Sequence, residues 1–122
     1  MLGVSLIILE KYYRDAFLLL NDVDVSFDSP IKEEHNKNRG ANLYKDAIYS
    51  LELCYKNNIE HSLIMCAMNW NFTPDRLLEL ISIAKVYNSN IRINPIKTVE
   101  KKHLELSLSA EQYYRGFSLL ME

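Results

Sequence analysis

The sequence predicts an α/β fold in which about three parallel strands alternate with four helices. The first observation is the order of the segments, because helical and strand-like patterns alternate along the 122 residues. Helix-bearing connections between strands are typical of a parallel sheet with right-handed crossovers. The second is the nearly continuous apolar run from Leu63 to Met68, which is typical of a strand covered on both faces.

The helices are predicted from apolar spacing and from start signals. Apolar residues recur every three or four positions from Leu6 to Leu20 and again from Tyr44 to Tyr55, which gives each segment one helical face. The stripe of the first helix comprises Leu6, Leu9, Tyr13, Phe17 and Leu20. Thr73-Pro74-Asp75 can start a third helix with a capping hydroxyl, a preset proline and an acidic residue. Ser109, with Gln112 three residues later, forms a capping box that opens the last helix.

Three strands are predicted between these helices. From Val23 to Phe27 apolar and polar residues alternate, which gives a strand with one apolar face. Asp28-Ser29-Pro30 ends it, because proline cannot donate to a ladder and Asp28 can bond nearby backbone amides. The charged stretch 31–40 is expected to be a loop. His61–Met68 forms the second strand and Ile91–Asn94 the third, and Pro95 is expected to end the pairing there.

Composition and charge bound the class of protein. With 14 basic and 16 acidic residues the formal net charge is −2, so no overall field attracts nucleic acid or an anionic membrane. No leader and no long uncharged span are evident, and Cys54 and Cys66 do not form a C-x-x-C pair. We expect one partial domain over residues 1–122, in the reducing cytosol, with no internal boundary.

Ser26 and Asp28 share one side of the first strand near its carboxyl end. Loops at that end of a parallel sheet commonly hold ligands. From the local pattern alone two interpretations stay open: a ligand site, or a polar strand edge closed by a turn. Glu33, Glu34 and His35 are not expected to bind a metal, since three consecutive residues cannot converge on one ion from a regular element.

An ordered set of motifs resembles the later strands of the radical S-adenosylmethionine (SAM) enzymes. A Ser-x-Asp strand end is followed by a proline, an acidic-acidic-histidine stretch, an Arg-Gly and an aromatic helix start, and then by an apolar strand ending in asparagine and a Leu-Leu-Glu-Leu helix. These are Ser26-Phe27-Asp28, Pro30, Glu33-Glu34-His35, Arg39-Gly40, Tyr44, Asn71 (with Asn69 as the alternative) and Leu77-Leu78-Glu79-Leu80. The resemblance covers most of the chain.

The resemblance implies an incomplete (β/α) barrel and a set of SAM contacts. Ser26 and Asp28 would bond ribose hydroxyls or the ammonium, and Arg39 would pair with the methionyl carboxylate. Asn71 would contact the ribose or the amino acid moiety, and the third strand would supply surface to the adenine. Two other interpretations stay open, in which Arg39 is a solvated loop cation and Asn71 a residue of the helix entry.

Departures from the family limit what this chain can do. The C-x-x-x-C-x-x-C loop that holds a [4Fe–4S] cluster in these enzymes is absent, and so is the glycine-rich motif of the second strand. We therefore expect the C-terminal half of a core, with SAM as cofactor, no cluster or metal ligands of its own, and no catalysis alone. The expected partner is the missing N-terminal half, or another chain or second copy at the open sheet edges. The alternative is a non-catalytic α/β interaction module derived from a barrel half.

Overall fold

The computed structural model describes the backbone of residues 3–96 and 105–121, and side chains from Leu6 onward. Nine elements follow one another in the described residues. They are α1 (Gly3–Tyr12), α2 (Arg14–Phe17), β1 (Val23–Ser26), α3 (Lys32–Arg39), α4 (Tyr44–Lys56), β2 (His61–Ala67), α5 (Pro74–Val86), β3 (Asn90–Pro95) and α6 (Ala110–Leu120). No helix in this part of the chain is long and apolar enough to cross a membrane.

The three strands form one parallel sheet in the order β1-β2-β3. Val25 lies beside Leu63, which lies beside Ile91. The predicted α/β class with three parallel strands is confirmed. Pairing does not stop at Pro95 as predicted, because Pro95 pairs with Ala67 and the next amide, of Ile96, donates to the Ala67 carbonyl at 3.0 Å.

The first predicted helix is wrong as a single element. The backbone breaks at Tyr13, where φ is −137° and ψ is 55°, so α1 and α2 are separate. One straight helix would place Tyr13 on the same face as Leu6 and Phe17. Because of the break, Leu6 and Phe17 are both fully buried while Tyr13 stays 64% exposed.

The predicted loop over residues 31–40 is also wrong, because most of it is helix α3. Its acidic residues stand in the first turn and its basic residues Lys37 and Arg39 in the last, which suits the helix dipole. Gly40 ends it in the left-handed region at φ 73°, a conformation that glycine adopts without strain. Only His35 of α3 is buried, so the sequence of this segment has no apolar stripe that would predict a helix. With α3 and the split first helix, the described residues hold six helices where four were predicted.

The two faces of the sheet differ in burial. On the covered face most strand residues are buried beneath helices, and only Ile91 and Ile93 of β3 are half-buried; the buried ones include Val23, Val25, Leu63, Met65 and Ala67. On the opposite side, called the open face below, Ser62 is buried and the other residues are half-buried or exposed; they include Asp24, Ser26, Ile64, Cys66, Arg92 and Asn94. The prediction that β2 is covered on both faces is therefore wrong for Ile64 and Cys66.

Helix α6 holds the loop that follows β2. The Ser109 hydroxyl accepts from the Gln112 amide at 3.1 Å, which confirms half of the predicted capping box. The Gln112 side chain does not return to Ser109; it donates to the carbonyls of Asn69 at 2.7 Å and Phe72 at 3.0 Å. Gly116 packs so closely on the Phe72 ring that a Cβ would lie 1.9 Å from it.

Candidate functional site at the carboxyl edge of the sheet

Asp28 is the centre of a polar network just beyond β1. It is 1% exposed. Its Oδ1 accepts from the Cys66 amide at 3.2 Å, and its Oδ2 accepts from the Asn38 side chain at 2.8 Å. The predicted bond to nearby amides is replaced by one that reaches 38 residues along the chain. Asp28 therefore ties the carboxyl end of β1 to β2 and to α3.

Arg39 forms an ion pair with Asp28. Its Nε lies 2.8 Å from Asp28 Oδ2, and its side chain is 34% exposed. The interpretation of Arg39 as a solvated loop cation is wrong about the loop, since Arg39 ends α3 and pairs with a buried carboxylate, but the residue does stay exposed to solvent. A contact through Nε leaves the two terminal nitrogens of the fork for a second acceptor.

Asn71 is fully buried and joins three backbone segments. Its Oδ1 accepts from the Met68 amide at 2.7 Å, and its Nδ2 donates to the carbonyls of Asp28 at 2.7 Å and Cys66 at 3.0 Å. Both amide hydrogens are used in these bonds, so only a second lone pair on Oδ1 is left for a ligand. In this state Asn71 fixes the loops after β1 and β2 rather than facing a cavity.

Ser26 lies beside this network, on the open face. It is half-buried and pairs with Ile64 across the ladder. Two residues along a strand span roughly 6.6 Å, so Ser26 stands one side-chain step before Asp28 on the same side. The structure therefore brings Asp28, Arg39 and Asn71 into contact and places Ser26 on the adjoining surface.

His35 belongs to the network although no ligand role was predicted for it. It is 1% exposed, and its Nδ1 accepts from the Asp28 amide at 3.1 Å. Its ring stacks on Phe27 at 5.6 Å and meets Tyr44 edge-on at 6.1 Å. Burial lowers the pKa of His35; the Asp28 charge opposes this shift and Arg39 adds to it. His35 is therefore held neutral, with Nδ1 as an acceptor.

Glu34 and Arg76 link α3 to α5 over the same edge. Arg76 donates through Nε to Glu34 Oε1 at 2.7 Å and through Nη2 to Oε2, a two-point pair. The Ser29 hydroxyl also donates to Glu34, at 2.6 Å. The bond from Arg76 is the largest cause that lowers the pKa of Glu34.

The predicted capping role of Thr73 is not seen, because its hydroxyl donates to Asp75 instead of accepting from a backbone amide.

The three consecutive side chains of the acidic-acidic-histidine stretch have different surroundings. Glu33 is exposed, Glu34 pairs with Arg76, and His35 points inward to Phe27. Among the residues that the structure describes, no group of three ligating side chains could hold a metal ion. The two cysteines do not fit a [4Fe–4S] cluster either, since Cys54 is buried in α4 and Cys66 stands on β2, and three thiolates are needed.

A cavity of ≈ 450 Å³ opens beside the network. It is lined by Glu34, Lys37, Asn38 and Trp70. Asn38 connects this cavity to Asp28 through their hydrogen bond. A carboxylate, an ammonium, an amide and an indole ring together suit a polar ligand with a cationic or flat unsaturated part.

Comparison of the chain with family models, curated proteins and solved structures gave no match. The candidate site is therefore supported by its geometry and by the motif order.

Proposed function

We propose that this chain is the C-terminal part of a radical SAM enzyme core and that it contributes SAM contacts in a complete enzyme. One observation carries the proposal: Asp28 and Arg39 meet Asn71, which lies 43 residues after Asp28, in one network at the carboxyl edge of a parallel sheet. Ligands of open parallel sheets bind at that edge. The open face that adjoins it supplies Ser26.

The observed contacts suggest a different role in SAM binding for each residue of the site. Arg39 is the most accessible of the three network residues and offers its terminal nitrogens to the methionyl carboxylate. When Arg39 turns toward that carboxylate, Asp28 Oδ2 keeps its bond from Asn38 and gains room to accept one more, from the ammonium or a ribose hydroxyl. Ser26 adds a hydroxyl on the same side. Asn71 is fully buried, so it acts indirectly by holding both loops in place, and its expected contact with the ribose or amino acid moiety would require the loop to move.

Reductive cleavage of SAM is not assigned to this chain alone. Two cysteines in separate elements do not supply the three thiolates of a cluster. We propose that another polypeptide provides the cluster, pairs with the open sheet edges, and sets the substrate. Two free cysteines suit a reducing cytosol.

Titration calorimetry of SAM into the purified chain tests the proposal. We expect weak binding by the unaltered chain and a loss of at least about tenfold in Arg39→Gln, because the carboxylate then loses a charged, two-point partner. Arg14→Gln is the matched control: it makes the same substitution at an exposed arginine that pairs with Glu10, outside the candidate site, and it should bind as the unaltered chain does. Asp28→Asn, which keeps the shape of the side chain, should also weaken binding.

Absence of SAM binding, or an equal loss in the Arg39 and Arg14 variants, contradicts the assignment. The open face would then favour the second candidate, an α/β module that binds another protein through its polar sheet surface. Its signature is a change of solution mass with concentration or with an added partner, measured by light scattering, without any response to SAM.

A further inference from the structure

The amino edge of the sheet, opposite the candidate SAM site, holds a serine–histidine pair. Ser89 Oγ lies 2.6 Å from His61 Nε2. His61 is the first residue of β2 and is 3% exposed. Ser89 is half-buried in the turn between α5 and β3, next to Asn88, whose φ is 51°. Two segments 28 residues apart are thus brought into contact through a hydroxyl and an imidazole.

The other ring nitrogen fixes the direction of this hydrogen bond. His61 Nδ1 lies 2.9 Å from the Ile59 carbonyl, which can only accept. The Nδ1 atom of the neutral ring therefore carries the proton, and Nε2 has the lone pair. Ser89 must then donate its hydroxyl proton to Nε2. A nucleophile bonded to a base, with that base oriented by a third group, is the arrangement that activates a serine.

A cavity of ≈ 370 Å³ adjoins the pair. The lining includes His61 and the two neighbours of Ser89, Asn88 and Asn90, but not Ser89 itself, whose half-buried hydroxyl must reach a substrate from between them. Asparagine side chains can donate hydrogen bonds to a developing oxyanion. The other lining residues are Cys54, Tyr55, Asn58, Ile59, Glu60 and Tyr87. Glu60 is the acidic member of this lining and disfavours anions, so the cavity suits a small uncharged ester.

We propose that Ser89 is a nucleophile that His61 activates for acyl transfer from small uncharged esters. Ser89 Oγ forms a bond to the carbonyl carbon, its proton moves to His61 Nε2, and the ester C–O bond breaks. The leaving alkoxide takes the proton from Nε2, and water hydrolyses the acyl-serine in the same way. The Ile59 carbonyl positions the imidazole. This site lies at the other end of the strands from the proposed SAM contacts and does not depend on them.

A fluorophosphonate probe tests the nucleophile directly. The Oγ–P bond forms, the P–F bond breaks and fluoride leaves, so the product is a stable adduct that mass spectrometry assigns to one peptide. We expect Ser89 to be labelled in the folded full chain and not in urea. His61→Gln should slow labelling by about 100-fold, the lower range of general-base effects.

Two controls separate reactivity from folding. Ser82→Ala removes an exposed hydroxyl of α5 that bonds the Leu78 carbonyl, and it should leave labelling of Ser89 unchanged. The comparison of folded and urea-unfolded chain needs no variant and holds even if His61→Gln fails to fold. No adduct on Ser89 in the folded chain, or equal labelling in urea, overturns the proposal and leaves the pair as a structural bond only.

Discussion

The same three strands make both faces of the sheet, but the two faces have different surroundings: helices cover one, and the other is polar and partly exposed. On the covered face Val25, Leu63 and Met65 are at most 1% exposed beneath the helical layer. On the open face Asp24 and Arg92 form an ion pair at 3.5 Å across β2, with both side chains well exposed. Parallel sheets usually have helices on both faces. A polar second face indicates that it meets water, a polar ligand or another polypeptide rather than an apolar core.

Asp28 stands where these two surfaces meet. The preceding residue, Phe27, turns to the covered side and packs on His35, while the Asp28 carboxylate turns to Asn38 and Arg39. Helix α3 thus contacts both sides, the covered side through the buried His35 and the polar side through Asn38 and Arg39. The site depends on this position, since ligand groups must be polar yet fixed by the apolar layer behind them.

The largest expected difference between the faces lies in two adjacent residues of β2. Leu63→Ala removes a fully buried side chain and should lower the free energy of unfolding by about 3 kcal/mol. Ile64→Ala, on the open face, should cost about 1 kcal/mol, because its side chain is only half-buried. Urea unfolding of the two variants at one protein concentration measures the difference.

Equal losses in the two variants would show that the open face is covered in solution. A second copy of the chain would then make the unfolding midpoint rise with protein concentration, and a partner from elsewhere would not.

The alkylation rates of the two cysteines are expected to show the next largest difference between the faces. Burial raises the pKa of Cys54, on the covered side, to about 11. The pKa of Cys66 is also raised, by burial and by the Asp28 charge, while Arg39 opposes the shift. Because Cys66 is half-buried on the open face and Cys54 is fully buried, iodoacetamide should modify Cys66 at least about tenfold faster. Peptide mapping follows both thiols in one sample.

Faster alkylation of Cys54, or protection of both thiols until urea is added, would contradict the contrast. The variant Arg39→Gln tests the electrostatic part of this difference in alkylation rate. Loss of the cation that opposes the Asp28 charge should raise the pKa of Cys66 and slow its alkylation, with no change at Cys54.

Much of the fold could be predicted because its signals are local. The alternation in β1, the apolar run of β2 and the start of α5 each depend on residues a few positions apart. Helix α3 was missed because its stability comes from elsewhere: His35 packs on Phe27, and Glu34 pairs with Arg76, which is 42 residues away. Apolar periodicity cannot detect a helix whose contacts are polar and distant.

The site shows the same limit. Motif order selected Asp28, Arg39 and Asn71, and the structure brings these three together. Their roles in the network could not be read from spacing, since Asp28 and Asn71 also bond backbone groups of β2 and of the loop that follows it, which are distant from Asp28 in sequence. Asn38 and Arg76 lacked any signal in the sequence beyond their polarity.

The smallest expected effect concerns His35, the titratable group that α3 inserts into the apolar layer. Burial lowers its pKa from the ordinary value of 6.5, so on acidification the unfolded chain takes up this proton first. The stabilisation is therefore fully present above about pH 6.5 and is lost as the pH falls toward the lowered pKa of the folded chain. Because one proton is involved, the free energy of unfolding changes by at most about 1.4 kcal/mol per pH unit.

His35→Asn tests this pH dependence, because it keeps an acceptor for the Asp28 amide but cannot titrate. The free energy of unfolding should then vary less between pH 5 and pH 7, as measured by urea unfolding at each pH. The unaltered His61 is common to both proteins and cancels in the comparison. An identical pH profile in the variant would mean that His35 titrates alike in both states, and that α3 does not hold it in the apolar layer in solution.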